Sequence, residues 1–289
     1  MQVDIRTLDP SAHERTEIRV SHATQVARAI AFAPVFIKYV LSGSERYQLE
    51  GRTYEVGAGE YLVGLGAAAG SVRIDSRDPV TGICIDFGRD TLLGMASALS
   101  PEPERLCCQL ASVPVLKLHS RDTRLGQLLQ QTAPALTRQP LAGQDIGPDL
   151  FFALAEQFLL DQQQVYAQLR RLPGLQPATN AECYRRLAEA RAYIARNCCQ
   201  PLRIRDMARA CALSEYHFIR LFRLAFGQTP YQYLLDQRIA EAAAWLSGGE
   251  PPAEVAFRCG FADLPSFSKA FKQRTGLAPS RYGLQNSRI

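Results

Sequence analysis

The sequence predicts an α+β chain, with an N-terminal antiparallel β-barrel carrying appended helices and an all-α C-terminal domain. Three observations carry this expectation. Strand signals crowd residues 34–65, helical periodicity replaces them after Asp90, and the last third repeats itself at an interval of 48 to 49 residues. A chain of 289 residues has room for two domains. With 47% hydrophobic and 21% charged residues it has ordinary globular composition, which excludes disordered and fibrous classes.

Residues 35–41 are rich in β-branched and aromatic side chains and end at Ser42-Gly43. Residues 47–49, a turn at Glu50-Gly51 and residues 53–56 read as a hairpin. Gly57-Ala58-Gly59 precedes a strand at 61–63, and two further strands are expected at 71–74 and 81–87. Short strands with regular turn signals indicate a small barrel or sandwich. Segments 91–99, 121–136 and 149–169 then follow with helical spacing. On the third, Leu150, Phe151, Leu154, Phe158 and Leu159 form one apolar stripe, expected to pack either on the barrel or on a second subunit. Residues 170–180, with Pro173, Gly174 and Pro177, read as a linker. The expected domains are therefore 1–170 and 181–289, joined by 171–180. Helices are expected at 182–197, 204–211, 214–226, 230–246, 252–258 and 264–275, with a last turn after Pro279.

Charge divides along the same line. Residues 181–289 hold 16 Lys and Arg against 9 Asp and Glu, whereas residues 1–180 hold 17 against 19. A basic C-terminal third behind a neutral partner is the layout of a nucleic-acid binder with a separate sensing or assembly domain. Of the 33 basic residues 29 are arginines, whose planar fork suits phosphate and guanine, although genome base composition explains the bias equally well.

Other classes are disfavoured. No apolar run approaches the roughly 18 residues of a membrane span, and residues 1–10 lack the apolar core of a signal peptide. A cytoplasmic protein is expected. The eight cysteines include the adjacent pairs Cys107-Cys108 and Cys198-Cys199 but no Cys-x-x-Cys, so they are read as free thiols. His13, His22, His119 and His217 are too far apart to suggest a metal site. No nucleophile elbow or phosphate-binding glycine loop is present, and neither an enzyme nor a cofactor is expected.

The repeat is specific. Arg220-x-Phe222-Arg223-x-x-x-Gly227-x-x-Pro230-x-x-Tyr233 recurs as Lys269-x-Phe271-Lys272-x-x-x-Gly276-x-x-Pro279-x-x-Tyr282. Upstream, Met207-Ala208-x-x-Cys211 matches Val255-Ala256-x-x-Cys259. Each copy is a short helix, a tight turn and a longer helix, the arrangement whose second helix enters a DNA major groove. In the first copy Ser214 is placed to cap, and Phe218, Leu221, Phe222 and Ala225 form an inward stripe, leaving Tyr216, Ile219, Arg220 and Arg223 outward. In the second Asp263 caps, Phe267, Ala270 and Phe271 point inward, and Leu264, Ser266, Lys269 and Lys272 are candidates for the DNA face. A connecting helix over 230–246 would be about 25 Å long at 1.5 Å per residue, enough to hold two reading helices about one DNA turn apart.

These motifs, together with Arg238 and Ala256-x-x-x-Gly260-Phe261, resemble the DNA-binding domain of the AraC/XylS family of bacterial transcription regulators, over about residues 181–284. The Gly43…Gly51…Gly57-x-Gly59-Glu60-Tyr61-Leu62 pattern is more loosely similar to the first motif of a cupin-type barrel. Three positions depart from the family pattern. Ala212 stands where glycine is common in the first turn, Ile219 where a polar residue is common, and Pro265 opens the second reading helix.

The resemblance implies a sequence-specific transcription regulator, more often an activator than a repressor, whose partners are double-stranded DNA and RNA polymerase. It implies a cupin-like barrel that senses a small organic effector and assembles a homodimer. Lys38, Tyr39, Tyr47 and Tyr61 are candidate effector-pocket residues, though strand packing explains them equally well. Metal cupins carry His-x-His and Glu after the first glycine. Residues 44–50 hold no histidine, so a metalloenzyme is not expected. The alternatives are a DNA-binding architectural protein or a repressor without small-molecule control.

Overall fold

The computed structural model describes residues 2–7, 16–65, 68–137, 148–174 and 176–286; His13 lies outside them. Two units separate within the chain, Met1–Arg185 and Arg186–Ile289.

The first unit is a nearly closed antiparallel barrel with helices appended. Its strands are β1 (Gln2–Thr7), β2 (Glu17–Phe32), β3 (Val35–Ser42), β4 (Ser44–Leu49), β5 (Arg52–Gly57), β6 (Glu60–Leu65), β7 (Ala68–Phe87) and β8 (Leu116–His119). They run in the order β1-β2-β7-β3-β6-β8, with β4 between β7 and β5. The spine is β7, which pairs with β2 along its length, with β4 through its first half and with β3 through its second. It replaces the two strands expected at 71–74 and 81–87. The ladder to β2 jumps register between Ala23 and Gln25, absorbing the polar residues 76–79 without ending the strand.

The predicted hairpin forms between β4 and β5. Its turn residues Glu50 and Gly51 both have positive φ, the geometry that suits the right-handed twist of the flanking strands. Side chains alternate across the sheet, so Phe36, Val40, Tyr47, Leu49, Val56, Leu62, Val72 and Ile74 meet in one interior cluster.

Helices α1 (Arg89–Leu99), α2 (Pro103–Leu110), α3 (Arg124–Thr137) and α4 (Pro148–Leu169) follow. The stripe on α4 is buried in its own chain: Phe151, Leu154, Phe158 and Leu159 are almost wholly covered, with α1, α2 and α3 packed on the helix. Leu154 and Phe158 are thus unavailable to a second subunit. Helix α5 (Pro177–Arg196) opens inside the segment read as a linker, where Asn180 Nδ2 donates to Leu172 O at 3.2 Å.

In the second unit the helices are α6 (Ile204–Ala210), α7 (Glu215–Phe226), α8 (Pro230–Ser247), α9 (Pro252–Arg258), α10 (Leu264–Thr275) and α11 (Pro279–Asn286). The sequence repeat is a structural one. Phe218, Phe222 and Tyr233 pack in tilted and edge-to-face pairs at 5.6 and 6.0 Å between ring centroids, and Phe267, Phe271 and Tyr282 do so at 5.5 and 5.3 Å. Both short helices end in the same six-residue closure, Leu213 N donating to Ala208 O at 2.9 Å and Phe261 N to Ala256 O at 3.0 Å. No helix among the described residues is long and apolar enough to cross a membrane.

That closure needs a left-handed residue. Gly260 supplies it at φ +79° in the second copy, and Ala212 at φ +53° in the first. A Cβ in this region costs about 1 to 2 kcal/mol, only part of which glycine returns through its freer unfolded chain. Ala212→Gly should therefore stabilise the second unit by about 0.5 to 1 kcal/mol. Urea unfolding followed by fluorescence of Trp245, the one tryptophan of the chain, reads this directly. An unchanged or lowered midpoint contradicts it.

Candidate nucleic-acid interface and barrel cavity

Each reading helix is fixed at both ends by local chemistry. Ser214 Oγ accepts from His217 N at 3.4 Å to cap α7, and Asp263 Oδ1 accepts from Ser266 N at 2.7 Å to cap α10. Backbone donation holds the Asp263 carboxyl below its ordinary range. Gly227 and Gly276, at φ +77° and +79°, end the two helices. Thr229 and Gln232 then form a reciprocal capping box that starts α8.

With Phe218, Phe222 and Ala225 buried, α7 turns Tyr216, Ile219, Arg220 and Arg223 to solvent. Tyr216 is 72% exposed, its ring edge-on to that of His217 at 6.0 Å between centroids. On α10, Phe267 and Phe271 face the core while Leu264, Ser266, Lys269 and Lys272 are exposed. All eight residues read from the sequence as a DNA face therefore lie on the outer surfaces of their helices. Trp245 sits half-buried against the second motif's core, with the Arg258 guanidinium 4.0 Å above its ring.

The two motifs share one connector. Helix α8 has 18 residues and is about 27 Å long at 1.5 Å per residue. From its middle, Arg238 donates through Nε to Cys198 O at 2.7 Å, through Nη1 to Gly260 O at 2.8 Å and through Nη2 to Gln200 O at 3.2 Å. One guanidinium thereby ties the segment before α6 to the turn after α9.

In the barrel, the four pocket candidates divide. Lys38 and Tyr47 line a cavity of about 290 Å³, with Arg19, Glu45 and Cys84 beside them. Tyr39 and Tyr61 do not reach it. They are cross-strand partners on the outer face of the sheet, where Tyr61 Oη bonds Thr123 Oγ1 at 2.6 Å beneath α3. Lys38 Nζ donates to Asp86 Oδ1 at 2.8 Å and contacts Cys84 Sγ, while Arg19 also pairs with Asp86.

Arg19, Glu45, Cys84 and Asp86 were not singled out from the sequence. The available signal was a charge interrupting an apolar run, as in Ile83-Cys84-Ile85-Asp86-Phe87. All eight cysteines are free, and no cluster of three or more His, Cys, Asp or Glu able to hold a metal occurs among the described residues.

Residues 207–285 match a family described as a helix-turn-helix domain. The chain is 32% identical over 91 residues to a probable transcriptional regulator, LumQ, of Photobacterium leiognathi, covering 31% of this chain and 37% of that protein. It is 30% identical over 128 residues to the MmsAB operon regulatory protein of Pseudomonas aeruginosa, covering 44% and 41%. The matches thus span about two fifths of the length of these relatives. An AraC-type transcriptional regulator structure from Chromobacterium violaceum is similar at 26% identity and a TM-score of 0.34, covering 36% of this chain and 93% of that one.

The buried ion group yields a test. Burial alone would push the Asp86 carboxyl up, but Lys38 and Arg19 outweigh it and hold the carboxyl below its ordinary 3.8. A depressed carboxylate stabilises the fold at pH above the unfolded value, and that contribution is lost as pH falls through the native one. Asp86→Asn leaves the buried Lys38 and the half-buried Arg19 facing a neutral amide and should cost about 3 kcal/mol at neutral pH. In thermal melts followed by tyrosine near-UV circular dichroism, the gap should be full at neutral pH and narrow below pH 3.8. A gap that is constant with pH contradicts the ionic account.

Proposed function

We propose that this chain, whose C-terminal third carries an AraC-type helix-turn-helix domain, is a sequence-specific DNA-binding transcription regulator. The observation that carries the reading is the duplicated motif, in which two capped helices pack on one connecting helix and leave their basic faces exposed. In this proposal α7 and α10 enter successive major grooves of one duplex, so a single chain reads both. The barrel answers to a small organic effector, and the chain activates by contacting RNA polymerase. Self-association is part of the proposal, but not through Leu154 or Phe158, which are buried within their own chain.

The two helices have different roles. Tyr216, Ile219 and Arg220 offer stacking, a methyl contact and a bidentate fork, which suits base readout by α7. Leu264, Pro265 and Ser266 offer few base-edge donors, so α10 acts mainly through phosphate contacts from Lys269 and Lys272.

The test is binding of the full chain to a site selected from random DNA. Arg220→Ala should cost about 1 to 3 kcal/mol on that site and relax preference at one base pair. Lys272→Ala should weaken selected and scrambled DNA alike and lower the salt slope by about one unit. Uniform loss from Arg220→Ala, with altered base preference from an α10 substitution, would reverse the roles. Failure of the chain to select any sequence overturns the reading itself.

A further inference from the structure

The barrel interior holds charge where a core would hold hydrocarbon. Cross-strand register places Arg19 and Lys38 on either side of Cys84, so the three form one row across β2, β7 and β3. Along β3 the neighbouring inward residues are Phe36 and Val40, both fully buried, and Lys38 between them is as inaccessible. Burying an ion pair at such a place is costly compared with well-packed hydrocarbon of the same size, so stability alone does not explain it.

The arrangement of the countercharges is informative. Asp86 pairs with Lys38 at 2.8 Å, and Glu17 lies 2.9 Å from Arg19 Nε, yet neither carboxylate lines the cavity. They anchor the two cations from behind. Towards the open space the wall presents the cations Arg19, Lys38 and Arg28, while the hydroxyls of Ser21 and Tyr47 already donate to Gly82 O and to Glu45. An ammonium has three donors, and Asp86 and Cys84 use two of those on Lys38.

Glu45 is the one carboxyl on the wall. It accepts from Tyr47, and burial pushes its carboxyl above the ordinary range although Tyr47 and Lys38 act the other way. Its place is prepared, since a Cβ at Gly82 would collide with Glu45 Oε1. The rest of the lining, Cys84 apart, is aliphatic, with Val26, Ile30, Val72 and Ile74 its largest members and Arg28 alternating with Val26 and Ile30 along β2. The row of Arg19, Cys84 and Lys38 is therefore a cationic patch with apolar wall beyond it, the chemistry that fits an acceptor-only head on an apolar tail.

We infer that the barrel cavity binds a small organic monocarboxylate with an aliphatic tail, its head on Lys38 and Arg19 and its tail along Val26, Ile30, Val72 and Ile74. This rests on reading the barrel as the sensing half of a regulator.

Three probes that differ only in the head group test it: octanoate, octan-1-ol and octylamine, titrated calorimetrically into the full chain at neutral pH. Octanoate should bind at least tenfold more tightly than either of the others. Lys38→Met should weaken octanoate at least tenfold and bring it level with octan-1-ol. Where Lys38→Met fails to fold by circular dichroism, Lys38→Met/Asp86→Asn removes both charges and gives the same readout. Val72→Phe, which fills the tail end, should abolish binding of octanoate.

The inference is overturned if octanoate does not bind, if octan-1-ol or octylamine binds as tightly, or if these substitutions leave octanoate affinity unchanged. DNA selection by the same preparation, measured in parallel, separates the two readings. DNA binding without octanoate binding removes only the carboxylate site, whereas loss of DNA selection removes the regulator.

Discussion

Arg238 is the hinge-pin of the second unit. Its guanidinium reaches the carbonyls of Cys198, Gln200 and Gly260, so it links the approach to the first motif with the turn of the second across α8. Its face also lies over the Phe261 ring, 5.8 Å from the centroid. A planar fork with five fixed donors reaches three separated carbonyls in one rigid geometry, whereas a lysine offers a compact ammonium on a flexible stem. The cross-link holds the approach to α6 against the turn between α9 and α10, and both α7 and α10 pack on the helix that carries it. Gly260 is required here for a second reason besides its φ. A Cβ at that position would stand 2.9 Å from Arg238 Nη2.

Around that clamp, each motif is held by hydrocarbon and aromatic contacts of its own. Phe218, Phe222 and Tyr233 in one copy and Phe267, Phe271 and Tyr282 in the other form separate small cores. Because the inward positions are apolar, Arg220, Arg223, Lys269 and Lys272 are left outside, where solvent or a polyanion can meet them, while Arg274 turns back to pair with Asp236. The barrel follows the opposite logic. It takes cations inside and balances them with Asp86 and Glu17, leaving a cavity rather than a filled centre.

How legible this was in the sequence differs between the halves. The helical unit announced itself because the repeat, its caps at Ser214 and Asp263 and its Gly-x-x-Pro ends are short-range signals. The barrel did so where strands are buried on both faces, as in β3 and β6, and where alternation around a turn marks a hairpin, as in β4 and β5. Strand β2 was missed because its second half is largely exposed and rich in Ala, Gln and Arg, with no alternation to detect. Strand β7 read as two pieces because a bulge carries it past polar residues.

For the pocket, residue type was readable but parity was not. Lys38 and Tyr39 are adjacent, so they face opposite sides of the sheet, and only the register decides which one looks inward. Asp86 and Arg19 join Lys38 through pairings 46 to 67 residues apart in sequence, which no local pattern contains.

The central claim is that one chain reads two successive major grooves through α7 and α10. Hydroxyl-radical footprinting of the full chain on its selected DNA, at the stoichiometry of one chain per duplex, tests it most directly. The account predicts two protected segments on one face of the helix, about 10 to 10.5 base pairs between centres. A single protected segment, or two segments on opposite faces, would contradict it.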